Sequence, residues 1–220
     1  MTLQAVIFDF DGVIVDSERV KFERLRTILQ GHNISLSKKD FCAMIGKKTG
    51  YFLKEQFGQK LSDQQILSIS EERRKDQLKN IQLFSKPIKG ITQIILFLKQ
   101  KGLRLCVATG TKRFLVKETL RILGIQNVFD VLVTGEEVQS SKPDPEVYSI
   151  AIKKLKLKKE NILVIEDSVA GVLAAKRAGL KSIAITTSYK HSQLKGAVKT
   201  FDSFAQIQTY LKKFLQKKKN

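Results

Sequence analysis

The stretch LQAVIFDFDG, residues 3–12, decides the fold. Leu3 to Phe10 form a short apolar run rich in β-formers, which predicts a buried strand. The run ends in Asp9 and Asp11, and Gly12 turns the chain at once. Residues two apart on a strand share a face, so two carboxylates stand side by side at a strand end. Such a pair repels unless a cation or a shared proton relieves it. One aspartate there is unremarkable as a cap. Two, beside a glycine that lets the backbone turn tightly, call for a chemical reason.

Beyond that strand the chain changes character. From about Asp16 to Phe84 it is polar, helical in period and free of β-branched apolar runs. Ser62 followed by Gln65, ahead of Ile66, Leu67 and Ile69, reads as a helix start with a capping box. This stretch predicts a bundle of about four helices. Lys86, Pro87 and Gly90 punctuate the return. Strands are then expected over 103–108, 128–133, 162–165 and 182–185. Helices are expected over 91–101, 112–123, after Pro145, over 169–178 and over about 203–219. The last carries Phe204, Ile207, Leu211, Phe214 and Leu215 on one face. This alternation predicts an α/β fold: a Rossmann-like, doubly wound parallel sheet with an inserted four-helix domain. The expected core is 1–15 with 85–220, and the expected insertion is 16–84. An insertion right after the first strand belongs at the carboxyl edge of the sheet, where open α/β sheets bind ligands. The helical block is therefore a candidate lid.

Three more strand ends carry reactive groups. Thr109, Gly110 and Thr111 join a buried strand to a helix, where free N–H groups favour an anion, or where Thr111 is simply an N-cap. Lys142 sits between Ser141 and Pro143 in SKPDP, and lysine binds phosphate as a point charge. Glu166 and Asp167 close an apolar strand and open a helix; they read either as caps or as oxygen ligands for Mg²⁺.

Composition sets outer bounds. With 220 residues, 42% hydrophobic and 28% charged, the chain suits one medium domain or a core with a small insertion, not a disordered or fibrous protein. No run of about 18 apolar residues predicts a membrane span, and the first residues, with acids inside their apolar run, do not read as a secretory signal. A cytoplasmic protein is the expectation. Cys42 and Cys106 are too few for a zinc cluster or a disulfide framework; the first reads as a helix residue and the second as core. His32 and His191 read as surface or helix-end residues. The net charge of +19 favours anionic partners but speaks to solubility and non-specific attraction, not to activity. Residues 17–84 hold 14 basic and 8 acidic residues, so the excess is spread over both parts. The cluster Lys153, Lys154, Lys156, Lys158, Lys159 has no interleaved aromatic, and in Lys212, Lys213, Lys217, Lys218, Lys219 the one aromatic, Phe214, belongs to the apolar face of the last helix. They carry no nucleic-acid motif.

Taken in order, DFDGVIVDSE, ATGT, SKPDPEVY and IEDSVAG resemble the four motifs of the haloacid dehalogenase superfamily. More closely, they resemble its branch with a helical cap after the first motif, which holds phosphoglycolate phosphatase-like and β-phosphoglucomutase-like enzymes. The likeness runs along essentially the whole chain. It implies a nucleophile at Asp9, which forms an aspartyl-phosphate, and a general acid–base at Asp11. It implies Mg²⁺ held by Asp9, the backbone carbonyl of Asp11 and Asp167, with Glu166 at or next to the metal. Thr109 and the N–H of Gly110, with Thr111, would hold phosphoryl oxygens, and Lys142 would stabilise the charge on Asp9. Gly46, Lys47 and Lys48 would be cap contacts to the substrate.

Within the family, dehalogenases lack the second aspartate, so Asp11 and Asp167 favour phosphoryl chemistry. The mutase-like members carry a His where Lys21 stands here and an Arg where Thr49 stands. The expectation is a monomeric Mg²⁺-dependent phosphatase of a small phosphorylated metabolite, a sugar phosphate above all. The alternatives are a sugar-phosphate mutase and, in another class, a basic nucleic-acid-binding protein on the same scaffold.

Overall fold

The structure is a computed structural model and describes residues 2–45 and 49–216. The chain divides into two compact units, Met1–Asp16 with Pro87–Asn220, and Ser17–Lys86. The first unit is built on a six-stranded sheet: β1 (Ala5–Phe8), β2 (Arg104–Ala108), β3 (Val131–Val133), β4 (Ile162–Glu166), β5 (Lys181–Ile185) and β6 (Lys199–Phe201). All pairs are parallel and the order is β3-β2-β1-β4-β5-β6. β1 is central. Its four residues, AVIF, are buried without alternation because both faces are covered. Val6 and Phe8 enter one core, Ala5 and Ile7 the other.

The second unit contains α1 (Glu18–Gly31), α2 (Lys38–Met44), α3 (Thr49–Phe57), α4 (Asp63–Lys79) and the single-turn α5 (Ile81–Phe84). The expected four helices are thus joined by one further turn. Phe22, Leu25, Leu29, Phe52, Leu53, Ile66 and Ile69 form its core. The capping box at Ser62 is present: Gln65 N donates to Ser62 Oγ at 3.2 Å, and Ser62 N donates to Gln65 Oε1 at 2.9 Å. Cys42 lies in α2, as expected.

The sheet's helices are α6 (Ile91–Gln100), α7 (Arg113–Ile122), α8 (Glu146–Leu155), α9 (Val169–Arg177) and α10 (Phe204–Gln216). α6, α7 and α10 supply Ile91, Ile94, Ile95, Val116, Phe204 and Ile207 to the core with Phe8. α8 and α9 supply Tyr148, Ala151, Leu155, Ala174 and Ala175 to the core with Ile7, where Cys106 is also buried. This is the doubly wound arrangement that the alternation predicts. The sequence reading misses β6. Its three residues, Lys199, Thr200 and Phe201, are too few to show an alternation, and only Phe201 is buried. His32 follows α1 with Nε2 3.2 Å from Glu72 Oε2, and exposed His191 lies 2.7 Å from Asp202 Oδ1.

Candidate active site

Asp9 continues the ladder one residue beyond β1, its N–H donating to Ile165 O at 3.0 Å. Phe8 is level with Val107 on one side and Ile165 on the other, so Asp9, Ala108 and Glu166 fall in one row at the carboxyl edge. Thr109 extends β2 in the same way, its N–H donating to Val133 O at 3.0 Å. Register alone therefore gathers three of the expected motifs.

Lys142 arrives from the loop before α8 and ties two of them. Its Nζ donates to Asp9 Oδ1 and to Glu166 Oε1, both at 2.6 Å, and to Ala108 O at 3.5 Å. It also lies 5.0 Å from the centre of the Tyr148 ring. Burial alone would lower its pKa; the carboxylates of Asp9 and Glu166 outweigh burial and hold it well above the ordinary lysine value. Burial pushes Asp9 up to about 7, assisted by Glu166 and Asp11 and opposed by Lys142. A cation beside Asp9 acts against that shift.

Glu166 is held on both oxygens. Oε1 accepts from Lys142 and from Tyr148 OH, each at 2.6 Å. Oε2 accepts from Asp167 N at 3.0 Å, Ser168 N at 3.1 Å and Ser168 Oγ at 3.0 Å. Burial disfavours its charged form, but the Lys142 charge and these donors hold its pKa below the usual value. Ser168 in turn caps α9, accepting from Gly171 N at 3.0 Å. A Cβ at position 171 would fall 1.8 Å from Glu166 Oε1, so only glycine lets the helix approach this carboxylate.

Asp167 stands beside Gly12. Gly12 has φ +78°, and a Cβ there would fall 1.8 Å from Asp167 Oδ2. The loop after β5 fastens both: Ser188 Oγ donates to Asp167 Oδ2, and Thr187 Oγ1 donates to Gly12 O. Thr109 is buried and its Oγ1 accepts from Thr111 N at 3.0 Å, while Thr111 Oγ1 donates to Asp11 Oδ2 at 2.6 Å. Gly110 is exposed.

Asp9, Glu166 and Asp167 offer carboxylate oxygens within 4.8 Å of one another. Converging hard oxygen donors fit Mg²⁺. The Asp11 carboxylate is outside that group, so a part for Asp11 in metal binding rests on its backbone carbonyl. Glu166, with protein donors on both oxygens, is placed as counter-charge to Lys142 more than as a bare ligand.

The structure thus brings Asp9, Asp11, Thr109, Thr111, Lys142, Glu166 and Asp167 together at one edge. Gly46, Lys47 and Lys48 lie outside the described residues. Lys21 pairs with Glu18 at 2.9 Å within the helical unit, and Thr49 opens α3. Sequence reasoning missed Tyr148, Thr187 and Ser188. Tyr148 lies inside the quoted SKPDPEVY stretch, where its place on the first turn of a helix behind Lys142 was a usable signal. Thr187 and Ser188 follow β5 with no motif to mark them.

Fold and edge define a doubly wound α/β protein with an acid-lined, lysine-bridged carboxyl edge, the place where such sheets bind and transform ligands. The chain belongs to the haloacid dehalogenase-like hydrolases, whose sequence model matches residues 6–185. It is 33% identical to the phosphorylated carbohydrates phosphatase of Thermotoga maritima over 186 residues, covering 82% of this chain and 84% of that one. In fold it is similar to β-phosphoglucomutase from Clostridium difficile, with a TM-score of 0.83, 24% identity and 98% of each chain covered. It is also similar to a CbbY variant from Rhodobacter sphaeroides solved with xylulose-1,5-bisphosphate, with a TM-score of 0.75, 25% identity, and 93% of this chain and 96% of that one covered. These relatives are phosphatases and β-phosphoglucomutase-like proteins, the branch that the four motifs indicate.

Proposed function

We propose that the protein is a Mg²⁺-dependent phosphatase of a small phosphorylated metabolite, with sugar phosphates as the substrate class. The observation that carries this reading is Lys142 Nζ, 2.6 Å from both Asp9 and Glu166. A buried lysine fixed against a buried aspartate is the arrangement needed to bring an anionic nucleophile to an anionic phosphate. Family membership and the sugar-phosphate chemistry in the names of relatives support the same class.

In this reading a carboxylate oxygen of Asp9 attacks phosphorus and the ester P–O bond breaks, leaving an aspartyl-phosphate. Asp11 gives its proton to the departing alkoxide oxygen, then takes one from the water that hydrolyses the acyl phosphate and releases inorganic phosphate. Thr109 and the N–H of Gly110 bind the transferring oxygens, and Lys142 stabilises their charge. Asp9, Asp167 and the Asp11 carbonyl would hold the metal, which supplies charge neutralisation between nucleophile and phosphate. Glu166 keeps Lys142 in place. The helical unit, with Gly46, Lys47 and Lys48, selects the ester, as an inserted cap would. Among the described residues no helix is long and apolar enough to cross a membrane.

The test is phosphate release from a panel of phosphorylated metabolites, with and without Mg²⁺, for the wild type and Asp9→Asn. Metal-dependent release should fall by more than about 10³-fold in the variant. Undiminished release by Asp9→Asn, or none from any ester by the wild type, would overturn the reading. A hexose 1-phosphate given with a bisphosphate separates the mutase: free phosphate is expected, and the 6-phosphate would replace this proposal by isomerisation.

A further inference from the structure

Asp11 and Thr111 are 100 residues apart in sequence, yet Thr111 Oγ1 donates to Asp11 Oδ2 at 2.6 Å. The threonine has its own supports. Its N–H donates to Thr109 Oγ1 at 3.0 Å, and its carbonyl accepts from Gly135 N at 2.9 Å. Thr109 is itself tied to β3 through Val133 O. Gly135 must be glycine for this packing, because a Cβ there would fall 2.2 Å from Gly110 O. A β-branched side chain on so fixed a backbone has little χ1 freedom. The hydroxyl is therefore a stationary donor, and it holds the half-buried Asp11 carboxyl by one oxygen.

The sequence pattern makes Thr111 either an N-cap or a phosphate contact. The structure gives α7 its N-cap at Lys112 instead, and commits the Thr111 hydroxyl to a carboxylate. A carboxyl that must hand a proton to a leaving oxygen works only when aimed at it. We infer that Thr111 is the positioning residue of the acid–base group, its hydroxyl holding the Asp11 carboxyl in the orientation that serves the leaving oxygen. This rests on the phosphatase reading above.

The experiment compares two esters. A sugar 6-phosphate expels an alkoxide that needs a proton; p-nitrophenyl phosphate expels a phenolate that does not. Thr111→Val, Thr111→Ala, Thr111→Ser and Asp11→Asn are compared with the wild type. The readouts are kcat on the sugar phosphate and single-turnover release of nitrophenolate, which isolates the first step. Thr111→Val should lower kcat on the sugar phosphate by about 10- to 100-fold, part of the full general-acid contribution. Nitrophenolate release should fall less than about threefold. Thr111→Ser should recover most of the loss, and Thr111→Ala, which also removes the hydroxyl, should show the same selective loss and replaces Thr111→Val as the readout if the valine variant folds poorly. Equal losses on the two esters, or no loss on either, would overturn the assignment. If Asp11→Asn shows the selective loss and the Thr111 variants do not, Thr111 alone is dismissed. If the wild type hydrolyses neither ester, the phosphatase reading falls and takes this inference with it.

Discussion

The two units of the chain use charge in opposite ways. At the carboxyl edge of the sheet, Lys142 is enclosed with Asp9 and Glu166, partners 133 and 24 residues away in sequence. Among the described residues of the helical unit, three ion pairs join neighbours on one helix: Lys21 with Glu18, Arg26 with Glu23, Arg74 with Glu71. Arg26–Glu23 and Arg74–Glu71 ride on solvated helix faces, where an ion pair contributes about a few tenths of a kcal/mol, while Lys21–Glu18 is largely shielded from water. The buried set gains little net stability from being charged, but it cannot lose one member without leaving the others uncompensated. The exposed pairs of the helical unit decorate a surface; the buried set at the sheet edge fixes Lys142, Asp9 and Glu166 against one another.

The largest test of that contrast is Lys142→Met. It leaves Asp9 and Glu166 facing each other with no cation between them. Removing one partner of a buried ionic set costs about 3–5 kcal/mol. Thermal unfolding should begin more than about 5 °C lower, and phosphate release should be lost. An unchanged melting curve would mean that the buried lysine is no more structural than the surface pairs.

Next in size is Leu53→Ala. Leu53 is fully buried in the helical core, whose order depends on packing rather than on any charged network. Truncation there should cost about 2–5 kcal/mol. Hydrogen exchange should rise within residues 17–86 and not in β1 and β4. Equal acceleration in the strands would show one cooperative body in place of two.

What the sequence revealed divides along the same line. Strand ends were legible because an apolar run ending in Asp9-Phe10-Asp11-Gly12 or Ile165-Glu166-Asp167 marks its own boundary. Parallel register then brings those ends together without further information. The capping box at Ser62 was legible because it is local. Partnerships across long loops were not. Nothing in the sequence pairs Thr111 with Asp11, Tyr148 with Glu166, or Ser188 with Asp167, since each depends on how loops after different strands fold over the edge. β6 was missed because an edge strand of three residues buries one side chain. Glu166 could be read as a cap or a ligand; five donors on its two oxygens give it a third part, as the anchor of Lys142.

The smallest expected effect comes from the pair that sits between these extremes. Arg24 on α1 grips Asp76 on α4 through two nitrogens, with Nε at 2.8 Å from Oδ2, and Asn80 Nδ2 adds a bond at 2.9 Å. It links two helices, as Lys142 links two strands, but its guanidinium reaches solvent. The hydrogen bond from Arg24 outweighs partial burial and lowers the Asp76 pKa below its usual 3.8. A lowered carboxylate pKa adds stability that is complete above the unfolded value and disappears as pH falls through the folded one. Asp76→Asn should therefore destabilise the helical unit at pH 7 by less than about 1 kcal/mol, since the arginine is screened by water. The gap between variant and wild type should hold down to about pH 4 and close below it. Unfolding followed by hydrogen exchange at pH 7, 5 and 3 checks this. A gap as wide at pH 3 as at pH 7 would mean that Asp76 acts through packing and its bond to Asn80, and that even this bridge owes nothing to charge.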